Sequence, residues 1–469
     1  MNLSVLAKLL SAEFSGQDQL IKNIIVSTDT RSIKNGSIFV ALRGERFDGH
    51  DFIDEAFSKG ASAVIVDQKF SSDNQQTYPA LIIVADTLTA YGTVAQHHLN
   101  QFSVKKVAIT GSCGKTSVKE ILSSMLSVAG EVLATQGNLN NAIGVPHTLL
   151  AVQKQHDFAV VEMGANHIGE IAYLSTLVQP QVAALLNADR AHLEGFGSIE
   201  GVVKAKGEIF SGVQAGGKAV LSLDEKHFSY WRDLVSERGL SLVTTSMTNT
   251  SADIYLIESQ QATQAFELKV MAFGECHNMR LPLLGQHNIK NTLTALAIAY
   301  ALGLSIENII QGLSNTKAAK GRLNTSYAKT KQTQIDYLII DDTYNANPLS
   351  VRAAIDVLAD YQYVSNQLRI LVLGDMAELG EESLSMHGEM GAYAQEKQID
   401  VLLSCGPLSK SSFEAFKGRG KAYSTQQDLI NSLSDWLPNN DPCIFLVKGS
   451  RSAKMEEVVS ALENYGDAA

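Results

Sequence analysis

The stretch Lys105-Lys106-Val107-Ala108-Ile109-Thr110-Gly111-Ser112-Cys113-Gly114-Lys115-Thr116-Ser117 constrains this chain more than any other. A short apolar run ends in a glycine-bounded turn, and Lys115-Thr116-Ser117 then opens a helical pattern that continues from Val118 to Val128. Strand, loop and helix in that order aim backbone N–H groups and the positive end of a helix at one point, where a phosphate is held. Lys115 can neutralise phosphate charge, and the Thr116 hydroxyl can hold Mg2+. The spacing departs from the general GxxxxGK[ST] pattern, whose first glycine would fall at Ile109; here the glycines are Gly111 and Gly114. The stretch predicts a bound nucleotide, with Gly111, Ser112, Cys113, Gly114 and Ser117 completing its phosphate cradle.

The chain has 469 residues, enough for about three domains. Its net charge of -11 argues against a nucleic-acid partner, which would call for a basic face. A nucleotide must therefore be met by locally placed cations. The cysteines Cys113, Cys276, Cys405 and Cys443 are scattered, without CxxC or disulfide-like spacing. The first residues carry no signal-peptide pattern, and no segment approaches 18 apolar residues, so no membrane span is expected. A cytoplasmic protein is expected.

Three α/β segments separate by pattern. In residues 1–102, strands are expected at Ile38–Leu42, Ala63–Val66 and Leu81–Val84. Helices are expected from Phe52 to Lys59 and from Thr87 to Asn100, with a loop from Ser71 to Pro79. Residues 103–318 carry the phosphate loop and the apolar runs Phe158–Glu162 and Val182–Leu186, typical of buried parallel strands. From Ala219 to Leu283 the runs shorten and read as antiparallel, and helices Asn291–Ala301 and Ile306–Leu313 follow. Residues 319–469 read as a doubly wound domain, with strands at Tyr337–Ile340, Arg369–Leu373, Val401–Leu403 and Cys443–Val447.

Polar residues at strand ends carry the chemistry. Glu162 closes a predicted central strand, where an acid coordinates Mg2+ beside the loop hydroxyl or simply faces solvent. His192 lies just past the next strand, as a ligand or a structural histidine. Lys206 reads, on spacing alone, as a solvated helix lysine. Asn138, Asn140 and Asn141 stand in a carboxamide-rich stretch, either a turn or a set of hydrogen-bonding groups for a polar substrate. Asn288 and Asn291 precede a helix and either cap it or read a base edge. Three polar loops, beginning at Asp341, Asp375 and Lys448, follow strands of the last segment and suggest a ligand crevice there.

Together these stretches resemble the Mur ligase family, ATP-dependent enzymes of bacterial peptidoglycan precursor synthesis, over nearly the whole chain. The motif Thr110-Gly111-x-x-Gly114-Lys115-Thr116-Ser117 is similar to that family's own phosphate loop. The resemblance implies an α/β protein of three domains: an N-terminal UDP-sugar-binding domain, a central P-loop mononucleotide-binding domain and a C-terminal Rossmann-like domain that takes a dipeptide. Gly137-Asn138-Leu139-Asn140-Asn141, Tyr344-Asn345-Ala346-Asn347-Pro348 and Val372–Gly380 point to the branch whose substrates are UDP-N-acetylmuramoyl-tripeptide and D-alanyl-D-alanine. Amide formation through an acyl phosphate is the implied reaction, and a monomer is expected.

The resemblance also implies roles. Thr30, Arg31, Arg46, Phe47, Asp48, Gly49 and His50 would hold the UDP-sugar. Lys206 would be carbamylated and, with Glu162 and His192, surround a second Mg2+, while Thr116 serves the first. Asn288 and Asn291 would read adenine, Arg322 would reach the ATP phosphates, and Asp342 would sit near the nucleotide sugar. Tyr344, Asn345, Asn347 and the Lys448-Gly449-Ser450-Arg451 loop are candidates for the dipeptide. Lys115, Lys206, His192 and Arg322 form the expected catalytic set, with no chemistry expected of the Cys113 thiol. The alternatives are a family member adding diaminopimelate or lysine as third residue, or a non-catalytic regulator of the same fold. The former typically carries Asp-Asn-Pro-Arg where this chain has Asn345-Ala346-Asn347-Pro348-Leu349.

Overall fold

A computed structural model describes residues 1–21, 24–44, 47–73, 78–189, 193–262, 264–329, 336–361, 367–437 and 442–465. Three sheets organise them. Each has a hydrophobic core on both faces, which is why its central strands are near-continuous apolar runs.

The N-terminal sheet runs, in spatial order, Glu13–Gly16, Ala80–Val84, Ala63–Asp67, Ile38–Val40 and Val26–Ser27, with only the first of these antiparallel to its neighbour. Helix Gln68–Asp73 replaces the start of the loop expected from Ser71; residues 74–77 of that loop lie outside the described residues. Helix Thr87–Leu99 leads to the next sheet; the Asp86 side chain accepts the Thr89 N–H and caps its start.

The central sheet runs Glu275–Leu281, Ala265–Ala272, Ile254–Ala262, Ser241–Ser246, Lys218–Ser222, Val182–Leu185, Lys105–Thr110, Phe158–Glu162 and Val132–Ala134. The antiparallel reading of Ala219–Leu283 needs correction. Lys218–Ser222 and Ser241–Ser246 extend the parallel sheet, and antiparallel pairing begins only between Ile254–Ala262 and Ala265–Ala272. Helix Phe228–Glu237 is the crossover that lets the first two strands run parallel, and short apolar runs carry no directional signal of their own. The helix expected at Asn291–Ala301 begins earlier, at Gln286, because Gly285 at φ +86° makes the turn. Its polar first turn, Gln286-His287-Asn288, has no apolar periodicity to reveal it.

In the C-terminal sheet the order is Asn324–Lys329, Asp336–Asp342, Cys443–Lys448, Leu368–Gly374, Val401–Cys405 and Arg419–Tyr423. All neighbours are parallel except the first pair. The edge strand Asn324–Lys329 is absent from the sequence reading because Asn-Thr-Ser-Tyr-Ala-Lys is polar and half-exposed. Among the described residues, no helix is long and apolar enough to cross a membrane.

Candidate active site

Strand Lys105–Thr110 delivers the phosphate loop, and helix Lys115–Leu126 starts on it. Gly114 takes φ +85°, a left-handed conformation that glycine enters without a Cβ penalty. A Cβ there would also lie 2.8 Å from the Asn291 side-chain oxygen, so the loop and helix Gln286–Ala301 approach as closely as backbone allows. The far side of the loop is clamped by the segment after Val182–Leu185. Asn187 Oδ1 accepts the Cys113 N–H at 3.0 Å, and Asn187 Nδ2 donates to the Cys113 carbonyl at 3.2 Å. Ser112 Oγ accepts the Asp189 N–H at 3.0 Å. Burial raises the pKa of the Cys113 thiol, which favours its protonated form.

Pairing of Lys105–Thr110 with Phe158–Glu162 sets Ile109 beside Glu162, which brings the acid to the root of the loop. The Glu162 carboxylate is then fixed at both oxygens. Thr116 Oγ1 donates to Oε2 at 3.1 Å, and Asn140 Nδ2 donates to Oε1 at 2.9 Å. Asn140 is thus brought to the acid, whereas Asn141 is spent locally: its side-chain oxygen accepts the N–H groups of Ile143 and Gly144. Asn138 lies in the turn before them, its carbonyl accepting the Asn140 N–H at 2.7 Å.

Lys206 overturns its spacing-based reading as a solvated lysine. It is 1% exposed in helix Ile199–Gly207, and its ammonium lies 5.7 Å from the centre of the Phe196 ring. Desolvation, joined by the charge of Lys115 and opposed by Glu162, pulls its pKa down to about 7. Among the described residues its amine makes no hydrogen bond. Lys115 donates to the Gly111 carbonyl at 2.5 Å, and its own pKa is lowered by burial, an effect that Glu162 opposes and Arg322 reinforces. Arg322 lies over the Tyr344 ring at 4.5 Å, with a buried Nε that has no hydrogen-bond partner among the described residues. Lys115 thus feels the charge of Arg322, and Lys206 feels that of Lys115, with Glu162 offsetting both, a field that favours a polyanion.

Arg322 is aimed by a tight backbone approach. Gly321 has φ +71°, and a Cβ on it would lie 2.9 Å from the Tyr344 nitrogen. Asp342 sits beside Lys448 in the parallel register, and the two form a buried ion pair at 2.6 Å. Lys448 also donates to the Asn345 carbonyl at 2.9 Å. Asn347 is a helix cap: its side chain accepts the Ser350 N–H, and Ser350 Oγ accepts the Asn347 N–H in return. Lys448, Asn345 and Asn347 thus hold the loop's shape, leaving Tyr344 and Arg322 as its outward-acting groups. Asn288 and Asn291 do not cap their helix, because they lie inside it: Asn288 Nδ2 donates to the Leu284 carbonyl at 2.7 Å, and Asn291 Nδ2 donates to Asn288 Oδ1 at 2.9 Å. His287 beside them is kept neutral, its pKa lowered to about 4 chiefly by desolvation.

A separate cluster lies on the N-terminal domain. His50 is buried, with Nδ1 2.6 Å from Asp48 and Nε2 accepting the Asp67 N–H at 3.1 Å. Arg43 pairs with both Asp48 and Asp67, so Asp48 and His50 brace the loop from within. A Cβ on Gly49 would lie 2.8 Å from the Leu42 nitrogen, which ties the loop to its strand. Thr30 is buried in a 3-10 turn. Arg31 is exposed against Asp29, and Phe47 is 74% exposed, a large apolar ring presented to solvent.

His192 and Arg46 lie outside the described residues. Among the described residues no cluster of three or more His, Cys, Asp or Glu gathers to hold a metal. The sequence reading assigned nothing to Asn187, the clamp on the loop, although its place just past a strand end was a usable signal. Lys119 was likewise unassigned; it is 3% exposed, and nothing in its spacing separates it from a surface lysine.

Family models match residues 24–98 (Mur ligase family, catalytic domain), 109–299 (Mur ligase middle domain) and 321–451 (Mur ligase, glutamate ligase domain). The chain is 41% identical over 466 residues to UDP-N-acetylmuramoyl-tripeptide–D-alanyl-D-alanine ligase of Escherichia coli (strain K12), covering 99% of each. It is similar to a crystal structure of MurF from Acinetobacter baumannii, with TM-score 0.87 and 34% identity over 98% of both chains. It is also similar to MurF ligase from Thermotoga maritima in complex with ADP, with TM-score 0.83 and 28% identity, covering 96% of this chain and 99% of that one.

Proposed function

The chain belongs to the Mur ligase family of ATP-dependent, amide-forming ligases, and on that premise we propose that it joins D-alanyl-D-alanine to UDP-N-acetylmuramoyl-tripeptide. The observation that carries this reading is a carboxylate, Glu162, held by the phosphate-loop hydroxyl and electrostatically coupled to Lys115 and Lys206, with Arg322 in turn coupled to Lys115. The tripeptide carboxylate attacks the terminal phosphate of ATP, giving an acyl phosphate and ADP. The dipeptide amine then attacks the acyl carbon, the C–O bond to phosphate breaks, and a proton leaves the nitrogen. Two anions meet in the first step, so charge neutralisation dominates what the site must supply. Lys115 serves the terminal phosphate, and Arg322 approaches from the C-terminal domain.

The donor set suits Mg2+: a hydroxyl and a carboxylate already 3.1 Å apart, beside an amine that can become an anion. Thr116 would serve a first ion; Glu162, His192 and a carbamylated Lys206 would serve a second. With its pKa pulled down to about 7, the Lys206 amine gives up its proton far more readily than a surface lysine. Its nitrogen can attack CO2 and lose a proton, which replaces a buried cation by a carbamate. Bound Mg2+ supplies charge neutralisation at the phosphates. Asn288 and Asn291 are assigned to adenine, Asp342 to the nucleotide sugar side, and Tyr344 to the dipeptide side. Thr30, Arg31, Arg46, Phe47, Asp48, Gly49 and His50 are assigned to the UDP-sugar. The reading takes the chain as a monomer acting in the cytoplasm.

A panel of amines with phosphate release as readout tests the substrate. D-alanyl-D-alanine should support release that also requires UDP-N-acetylmuramoyl-tripeptide. Release that depends instead on diaminopimelate or lysine, with the corresponding dipeptide acceptor, would transfer the chain to the other ligase. Phosphate release indifferent to every amine would remove ligase activity altogether.

A further inference from the structure

We infer that Lys119 is a positioning residue for the Glu162 carboxylate, and through it for the divalent cation; the inference rests on the ligase reading above. Lys119 lies on helix Lys115–Leu126, three residues after Thr116, so one rigid element carries both. Its ammonium, 3% exposed, donates to the Thr135 carbonyl at 2.7 Å. The Thr135 hydroxyl, buried in turn, accepts the Glu162 N–H at 2.9 Å. Glu162 Oε2 then returns to the helix through Thr116 Oγ1 at 3.1 Å. These contacts form a closed ring: helix, Lys119, Thr135, Glu162, Thr116 and back to the helix.

The ring gives Lys119 a purpose that packing alone does not. A buried ammonium is costly to desolvate, and an apolar side chain of similar length would often serve stability as well or better. Among the described residues its one carboxylate partner is the neighbouring Glu120, at 2.9 Å and 39% exposed, a contact at the rim. The Thr135 carbonyl, in contrast, belongs to the residue that holds the backbone of Glu162. Fixing that peptide fixes where the acid's backbone begins, while Thr116 and Asn140 fix where its oxygens end. Groups that orient a metal ligand typically change metal affinity by about 10–100-fold when removed.

The test compares ADP binding with and without Mn2+, followed by calorimetry and by the electron paramagnetic resonance of the bound ion. Lys119→Met and Thr135→Val should each weaken Mn2+ binding in the ADP complex about tenfold. ADP affinity in EDTA should not change. The double variant should be no worse than the weaker single, because both break one ring. Lys119→Arg should recover part of the loss, and Glu120→Gln should behave as wild type. Thr135→Val decides the matter if Lys119→Met does not fold. Wild-type Mn2+ affinity in a folded variant, or fully additive losses, would overturn the inference alone. A wild-type protein whose ADP affinity ignores Mn2+ would overturn the ligase reading with it.

Discussion

Replacing Lys115 by alanine should lower turnover by at least about 10²–10³-fold while the protein still folds. The ammonium is the cation at the root of the helix that starts on the phosphate loop, and in the first step it faces an anion attacking an anion. Its pKa is lowered by burial and by Arg322 and only partly restored by Glu162, so a bound polyanion is favoured beside it. Among the described residues its side chain makes one hydrogen bond, to the Gly111 carbonyl, and the loop is clamped independently by Asn187 and Ser112, so the fold should survive its loss. Phosphate release and thermal melting check the two halves of the prediction. Turnover near the wild-type rate would remove Lys115 from the reaction.

Lys206→Ala should lower turnover by at least about 10²-fold, with partial recovery on adding short-chain carboxylic acids that restore an anion in the vacated space. Stability should move the other way. The folded-state pKa is about 7 against an ordinary 10.5, so between those values the unfolded chain holds a proton that the folded chain has lost. The buried lysine therefore costs most below about pH 7, and its cost fades as pH rises through 10.5. Lys206→Met should raise the melting temperature most at low pH and least at high pH. Wild-type activity in Lys206→Ala, without any response to carboxylic acids, would return the residue to a packing role.

The phosphate loop was legible because its chemistry is local: glycines, a lysine and a hydroxyl in consecutive positions between a strand and a helix. Three α/β layers were legible for a similar reason, since buried parallel strands announce themselves as apolar runs. What is set by pairing was not. The direction of Lys218–Ser222 and Ser241–Ser246 depends on a crossover helix, and the polar edge strand Asn324–Lys329 is held by its partner more than by its own residues. Lys206 and Lys119 show the same limit at the site. Each looks like a helix lysine, and only the packing of one domain against itself makes it buried. Asn347 differs in the opposite sense: expected at the dipeptide, its side chain instead caps helix Pro348–Asp360.

In the proposed reaction the tripeptide carboxylate takes the phosphate before the amide forms. UDP-N-acetylmuramoyl-tripeptide labelled with 18O in its terminal carboxylate tests this directly. Mass spectrometry of the phosphate released with D-alanyl-D-alanine should show one 18O per phosphate, because the broken C–O bond leaves that oxygen behind. Phosphate free of the label, or carrying oxygen from labelled water instead, would mean that ATP is hydrolysed without activating the carboxylate and would contradict the account.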